Sequence, residues 1–373
     1  SEAIEKWPIE MFKSILPRIY MIVEEINERY CKELWNKYQG DWKRISDMSI
    51  IADGYIKMAH LAIVGSHSVN GVAKLHTEIL KNSEMKNFNE FYPEKFNNKT
   101  NGISHRRWLL KINKELTDLL IENIGDSFIS KPSELINFKD KVNDIRILEE
   151  LNNIKYKKKI ELSNYIYNNY QLKVDPSSIF DSQIKRIHGY KRQALNCLRI
   201  LDLYYRLIEE PNLDINNRVF IFSGKAAPGY HLAKNIIELI VAIAKKVNDD
   251  KRIKGKIKVI LLENYKVSLA ELIIPGTDIS EQISTTTKEA SGTSNMKFMM
   301  NGALTVATLD GANIEIRDAV GEDNIIIFGL KAEEVFKYYK EGGYSSYEIY
   351  NTDSKVKRVM DSLIDGTLAE DKD

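Results

Sequence analysis

The stretch SSIFDSQIKRIHGYKRQALNCLRILDLYYRLIEEPNLDINNRVFIFSG, residues 177 to 224, decides the fold. SSIFDSQIKRIH, residues 177 to 188, reads as a strand, Gln193 to Ile208 has the apolar spacing of a helix, and RVFIFSG, residues 218 to 224, reads as a buried strand. The alternation continues through a helix from Tyr230 to Lys246, the strand KIKVILLEN, a helix from Val267, and the strands ALTVATL and DNIIIFG. Strand-then-helix order repeated in this way predicts a doubly wound parallel α/β sheet, with ligands at the carboxyl ends of its strands.

Upstream, the pattern is mostly helical. Ser1 to Arg18 reads as a helix already under way, and Ile15, Ile19, Ile22, Val23 and Ile26 keep helical spacing between Ile9 and Trp42. Asp41 to Ala62 reads as further helix, and LAIVGSHSVNGVAKLHTEIL, residues 61 to 80, as a βα unit turning between Gly65 and Asn70. Glu94 to Trp108 is polar and turn-rich and suits a crossover between domains, here divided as 1–97 and 98–373. Helices follow to about Leu172, with the lysines at 157 to 159 read as a solvated face.

Composition narrows the function. The 373 residues carry 54 basic and 53 acidic side chains, so no surface-wide attraction for nucleic acid is expected. Cys31 and Cys197 are the only cysteines, too few for a disulfide framework, and fit reduced thiols in the cytoplasm. None of the six histidines falls into metal-binding spacing, and no apolar run approaches the roughly 20 residues of a membrane span.

The densest chemistry lies in EASGTSNMKFMMNGALTVATLDGAN, residues 289 to 313. Met296, Phe298, Met299 and Met300 flank Lys297, and keeping water off an ammonium lowers its pKa towards a nucleophilic amine. Ser291, Gly292, Thr293 and Ser294 just before it read as a loop opening a helix, a setting that offers N–H groups to phosphate. Pyridoxal phosphate, with an aldehyde and a phosphate, would satisfy both. A second motif, KRIHGYKR, packs Lys185, Arg186, His188, Lys191 and Arg192 into eight positions. On spacing alone it fits a solvated basic face, a nucleic-acid patch or a phosphate site. GKAAPGYH, residues 224 to 231, is a tight strand-to-helix turn without the spacing of a Walker loop. NKTNG, residues 98 to 102, is by itself only a turn.

Taken together, these segments closely resemble the α-glucan (glycogen and starch) phosphorylases, and the likeness runs from about Glu2 to about Asp365. It implies a two-Rossmann-domain glycosyltransferase architecture of GT-B type, of which this chain is the later half: the end of an N-terminal domain and a C-terminal domain stopping before its final helices. The implied activity is retaining phosphorolysis of a terminal α-1,4-linked glucose by orthophosphate to α-D-glucose 1-phosphate. Pyridoxal 5′-phosphate would be held as an imine on Lys297, beside Trp108 and Tyr265, with Thr293 and Ser294 on its phosphate. By the same resemblance Lys185, Arg186 and Lys191 gather phosphate and form the catalytic group together with His188, and Asn101, Tyr190, Glu289, Ser291 and Gly292 meet the sugar. A homodimer, acting on glycogen, starch or maltodextrin, is implied for the full-length protein. A histidine and a glycine loop upstream would complete the site, so these 373 residues alone are expected to be nearly inactive.

Several positions depart from the family pattern. Gly189 stands where glutamate is usual, Lys266 where animal enzymes have arginine, and TTTKEA replaces a Thr-Ala-Gly approach to Glu289. Ser294 and IRDAVGEDN are plant-like. An aminotransferase-type enzyme and a non-catalytic sugar- or nucleotide-binding module are the other classes open at this point.

Overall fold

The computed structural model describes residues 4–368. Its chain divides into two compact units, one up to Asn101 and one from Gly102 onward.

In the first unit, strand β1 (Lys6–Pro8) leads into helices α1 (Ile9–Ile15), α2 (Pro17–Lys37) and α3 (Trp42–Met48). The hairpin β2 (Ile51–Ala52) and β3 (Tyr55–Lys57) follows, then α4 (Met58–Gly65), β4 (Val69–Gly71), α5 (Lys74–Ile79), α6 (Lys86–Phe91) and β5 (Phe96–Asn98). Tyr30, Leu34, Met48, Ile50, Ile56 and Phe88 form its core. The helical reading of this region needs three corrections. Residues 6 to 8 are a strand paired with β3, and Leu16-Pro17 separates α1 from α2, because proline lacks the N–H that would continue the first helix. Ser1 to Ala3 lie outside the described residues. Within the expected helix from Asp41 to Ala62, Asp53 and Gly54 both take positive φ, the requirement of a tight hairpin turn, and reverse the chain between β2 and β3. Finally, the apolar run at Leu61 is the end of α4, and the strand is Val69–Gly71, paired in parallel with β5.

The second unit opens with a π-helical turn, Arg106–Lys111, then α7 (Lys114–Ile124) and α8 (Ile145–Tyr170). Its sheet follows as β6 (Ile179–Ile184), α9 (Gln193–Glu209), β7 (Arg218–Ser223), α10 (His231–Asp249), β8 (Ile257–Leu262), α11 (Val267–Ile273), β9 (Ile279–Gln282), α12 (Ser294–Met300), β10 (Leu304–Ala307), α13 (Asn313–Val320) and β11 (Ile326–Ile327). Helices α14 (Ala332–Glu341), α15 (Ser346–Thr352) and α16 (Ser354–Asp361) close it.

All six strands run parallel, in the order β11-β10-β9-β6-β7-β8. Counted within the sheet this is the doubly wound order 3-2-1-4-5-6. Alternate side chains of β7 serve opposite layers: Phe220 and Phe222 pack with α9 and α10, while Val219 and Ile221 pack with α8 and α11. Burial of each contributes about 1.5 to 3 kcal/mol. The order of chain travel reverses between β6 and β9, and the crevice outside their carboxyl ends is the expected ligand position.

Two sequence readings change here. β9 was not anticipated, because ISEQ is polar at three of four positions although Ser280, Glu281 and Gln282 are buried. The lysine run is no solvated face either: Lys158 is buried against Glu115 and Glu161, and Lys159 against Asp278, leaving Lys157 exposed. Among the described residues no helix is long and apolar enough to cross a membrane, and no cluster of metal-ligating side chains occurs. Cys31 is half-buried and Cys197 buried, both free thiols.

Candidate functional site at the switch point

Strand β6 ends at Ile184, so the cations of KRIHGYKR stand in the loop beyond its carboxyl end. Neighbouring groups fix that loop. Gln183 Nε2 donates to Lys191 O at 3.1 Å, and Gln193 Nε2 donates to Arg186 O at 2.9 Å. Lys185 N donates to Ser223 O at 2.9 Å, so the loop begins pressed against the end of β7. Gly224 permits this approach, since a Cβ there would lie 2.1 Å from Lys185 O.

Lys185 Nζ reaches across the switch point to β9, donating to Glu281 O at 2.8 Å and Gln282 Oε1 at 2.9 Å. Burial, reinforced by the positive charge of Lys191, brings its pKa down to about 7. Lys191 Nζ pairs with the Glu289 carboxylate at 2.5 Å, and Ser284 Oγ donates to the same carboxylate oxygen at 3.2 Å. The cation loop and the loop carrying Glu289 therefore meet. Arg186 is exposed, and the His188 ring lies against those of Tyr190 and Tyr230, with centroids 4.7 Å from each.

Gln282 links this cluster to the lysine helix. Its side chain exchanges hydrogen bonds with Ser294 Oγ at 3.2 and 3.3 Å, at the first residue of α12. One turn along, half-buried Lys297 places Nζ 4.0 Å from the centroid of the Trp108 ring, and desolvation lowers its pKa. Trp108, Tyr265 and Phe298 belong to one apolar cluster. Asn301 ties the helix to the tryptophan, its Nδ2 donating to Trp108 O at 2.7 Å and to Lys297 O at 2.9 Å. Next to Lys297 stand the Trp108 ring, from another element, and the apolar cluster that Trp108 shares with Phe298, whereas Met296, Met299 and Met300 line a separate cavity with Leu109 and Ile316.

Ser291 is buried, its carbonyl accepting from Ala312 N at 2.9 Å, and Gly292 adopts φ +78°. Thr293 O accepts from Lys297 N at 3.3 Å. Asn101 lies in the first unit, exposed, with its N–H donating to Val72 O at 3.0 Å. Sequence reasoning missed Gln282 and Asp310. The first falls on the unrecognised strand, where the proline-glycine turn at residues 275 and 276 was the available signal.

Fold and site define a doubly wound α/β protein that presents clustered cations and a half-buried lysine at the switch point of its sheet. A family model for carbohydrate phosphorylases matches residues 1–373. Over 373 residues the chain is 56% identical to the glycogen phosphorylase of Bacillus subtilis (strain 168), covering 100% of this chain and 47% of that one. Over 368 residues it is 46% identical to the liver form of glycogen phosphorylase from Ovis aries, covering 98% and 43%. The human muscle form matches at 46% over 368 residues, covering 98% and 44%. The chain belongs to the carbohydrate phosphorylase family, and it spans less than half the length of these relatives.

Proposed function

We propose that the full-length protein is a retaining α-glucan phosphorylase, transferring the terminal α-1,4-linked glucosyl unit of glycogen, starch or maltodextrin to orthophosphate and releasing α-D-glucose 1-phosphate. The observation that carries this reading is the meeting of the cation loop with Glu289, through the ion pair of Lys191 at 2.5 Å. A phosphate group on Lys191 and a sugar hydroxyl on Glu289 would then be neighbours.

The residues present also fit pyridoxal 5′-phosphate. Lys297 would hold it, since a desolvated amine over the Trp108 ring is primed to combine with an aldehyde. Thr293 and Ser294 precede this lysine and would meet the phosphate end, with Trp108 and Tyr265 as apolar neighbours. When bound, the cofactor supplies a phosphate able to exchange a proton with the substrate phosphate.

The protein's own work is then largely electrostatic. Two phosphate groups in contact repel, by about 4 kcal/mol per pair of unit charges 4 Å apart at an effective dielectric constant of 20. Lys185, Arg186 and Lys191 offset that repulsion by placing positive charge where the two groups meet. Glu289, Ser291 and Gly292, with Tyr190 beside them, orient the glucosyl ring. His188, packed against two tyrosines, keeps the cation loop in shape. Lys191 and Glu289 hold each other until substrates arrive, so orthophosphate drawing Lys191 away frees Glu289 for a sugar hydroxyl.

The same reading makes the full-length protein a cytoplasmic homodimer. Its test is direct: full-length protein loaded with cofactor, incubated with maltoheptaose and orthophosphate, releases glucose 1-phosphate. Borohydride should fix the cofactor on the peptide containing Lys297; recovery on another lysine overturns the assignment.

A further inference from the structure

The turn that delivers Glu289 is strained. Thr287 takes φ +78°, a left-handed conformation in which a branched Cβ crowds the backbone. Among the described residues the other non-glycine positions at positive φ are Asp53, Gln171, Arg192, Lys254 and Asn264, none of them β-branched. Such a turn persists only where its surroundings over-determine it.

Its anchors are specific. Thr285 N donates to Tyr190 O at 2.7 Å, and Thr286 Oγ1 donates to Leu330 O at 2.9 Å. On the far side of Thr287, Glu289 N donates to Asp310 Oδ2 at 2.8 Å, and Lys288 N is shared between Asp310 Oδ2 at 3.1 Å and Thr285 O at 3.0 Å. Asp310 is 1% exposed. The residues after it grip the other end of the same loop: Ala312 N donates to Ser291 O, and Gly311, at φ +53°, lies so close that a Cβ would sit 2.6 Å from Ser291 O. Asp310 to Ala312 thus brackets Glu289 on both sides.

We propose that Asp310 is a positioning residue: by holding the N–H groups of Lys288 and Glu289 it keeps the strained Thr287 turn closed and aims the Glu289 carboxylate at the glucosyl ring. This rests on the phosphorylase reading for the identity of the ring. The geometric part, that Asp310 holds the turn, stands apart from it.

The experiment uses the full-length, cofactor-loaded protein as wild type, Asp310→Asn, Thr287→Gly and the double variant. Asp310→Asn should lower kcat/KM for glucose 1-phosphate about thirtyfold while the KM for the maltooligosaccharide acceptor and the cofactor absorbance stay unchanged. Adding Thr287→Gly should recover about tenfold of that loss, because glycine takes the turn without an anchor. A merely structural aspartate would not be rescued in this way. An Asp310→Asn effect within threefold, or absence of rescue, overturns the proposal.

Two further readouts keep it testable. Amide exchange at Glu289 should accelerate at least tenfold in Asp310→Asn, and unchanged exchange overturns the anchoring. Thr287→Gly alone should raise Tm, and a fall would show that the turn stores no strain. If the wild type makes no glucose 1-phosphate, the phosphorylase reading fails, while exchange still decides whether Asp310 holds the turn.

Discussion

Lys185 is the residue whose charge depends most on what it meets. With its pKa at about 7, well below the ordinary lysine value, the folded chain releases this proton before the unfolded chain does. Stability therefore rises with pH between about 7 and the ordinary lysine range. An arriving phosphate reverses the preference, since a dianion favours the ammonium. At pH 8, cofactor-free full-length protein should take up close to one proton on binding inorganic phosphate, measured calorimetrically in buffers of different ionisation enthalpy. Binding without uptake would remove Lys185 from the phosphate site. Arg186→Ala should raise the orthophosphate requirement about a hundredfold, as expected for loss of a charge-assisted hydrogen bond, with circular dichroism unchanged. Asp310 titrates in the other sense. Burial raises its carboxyl to about 6, so folding stability falls as pH rises from the usual aspartate range to about 6, and the two N–H groups lose a charged acceptor as pH falls through 6. Affinity for the glucosyl ring should weaken in that lower window. At this scale the cations and Lys297 stood out because of the residues beside them in sequence, although their partners Glu281, Gln282, Glu289 and Trp108 lie far along the chain. Gln282 and Asp310 stayed hidden because their partners lie far along the chain.

Among the elements, β7 and β8 were legible because both their faces are buried and their sequences are largely apolar, while β6 is polar at Asp181, Ser182 and Gln183 and apolar at Ile179, Phe180 and Ile184. β9 escaped because its buried side chains are polar, satisfied by bonds such as Gln282 Nε2 to Ser280 Oγ and Lys185 Nζ to Gln282 Oε1. In the first unit, apolar spacing survived across three breaks that only turn chemistry marked, as at Asp53-Gly54. One of the tight element contacts belongs to Gly224. A methyl group there would press on Lys185 O at 2.1 Å, backbone that has no flexible end to yield. Gly224→Ala should cost about 3 kcal/mol in urea denaturation and weaken phosphate binding with it. Stability unchanged within error would mean that the loop after β6 shifts freely.

Taken whole, the described chain has separate cores: Leu34 lies in that of the first unit and Ile240 in that of the second. Leu34→Ala and Ile240→Ala should each cost about 3 kcal/mol, read by amide exchange within the unit that carries the change. The order of the sheet has a consequence for how the protein is made. Lys185 meets its acceptors 96 and 97 residues further along the chain, and β6 gains its second neighbour only when β9 arrives. While a ribosome is still translating the residues between Leu262 and Gln282, β6, β7 and β8 can pair, yet one edge of β6 stands open. An open edge of this kind is a template for pairing with another nascent chain. Chaperone occupancy on translating polysomes should peak over this interval and fall once β9 has emerged.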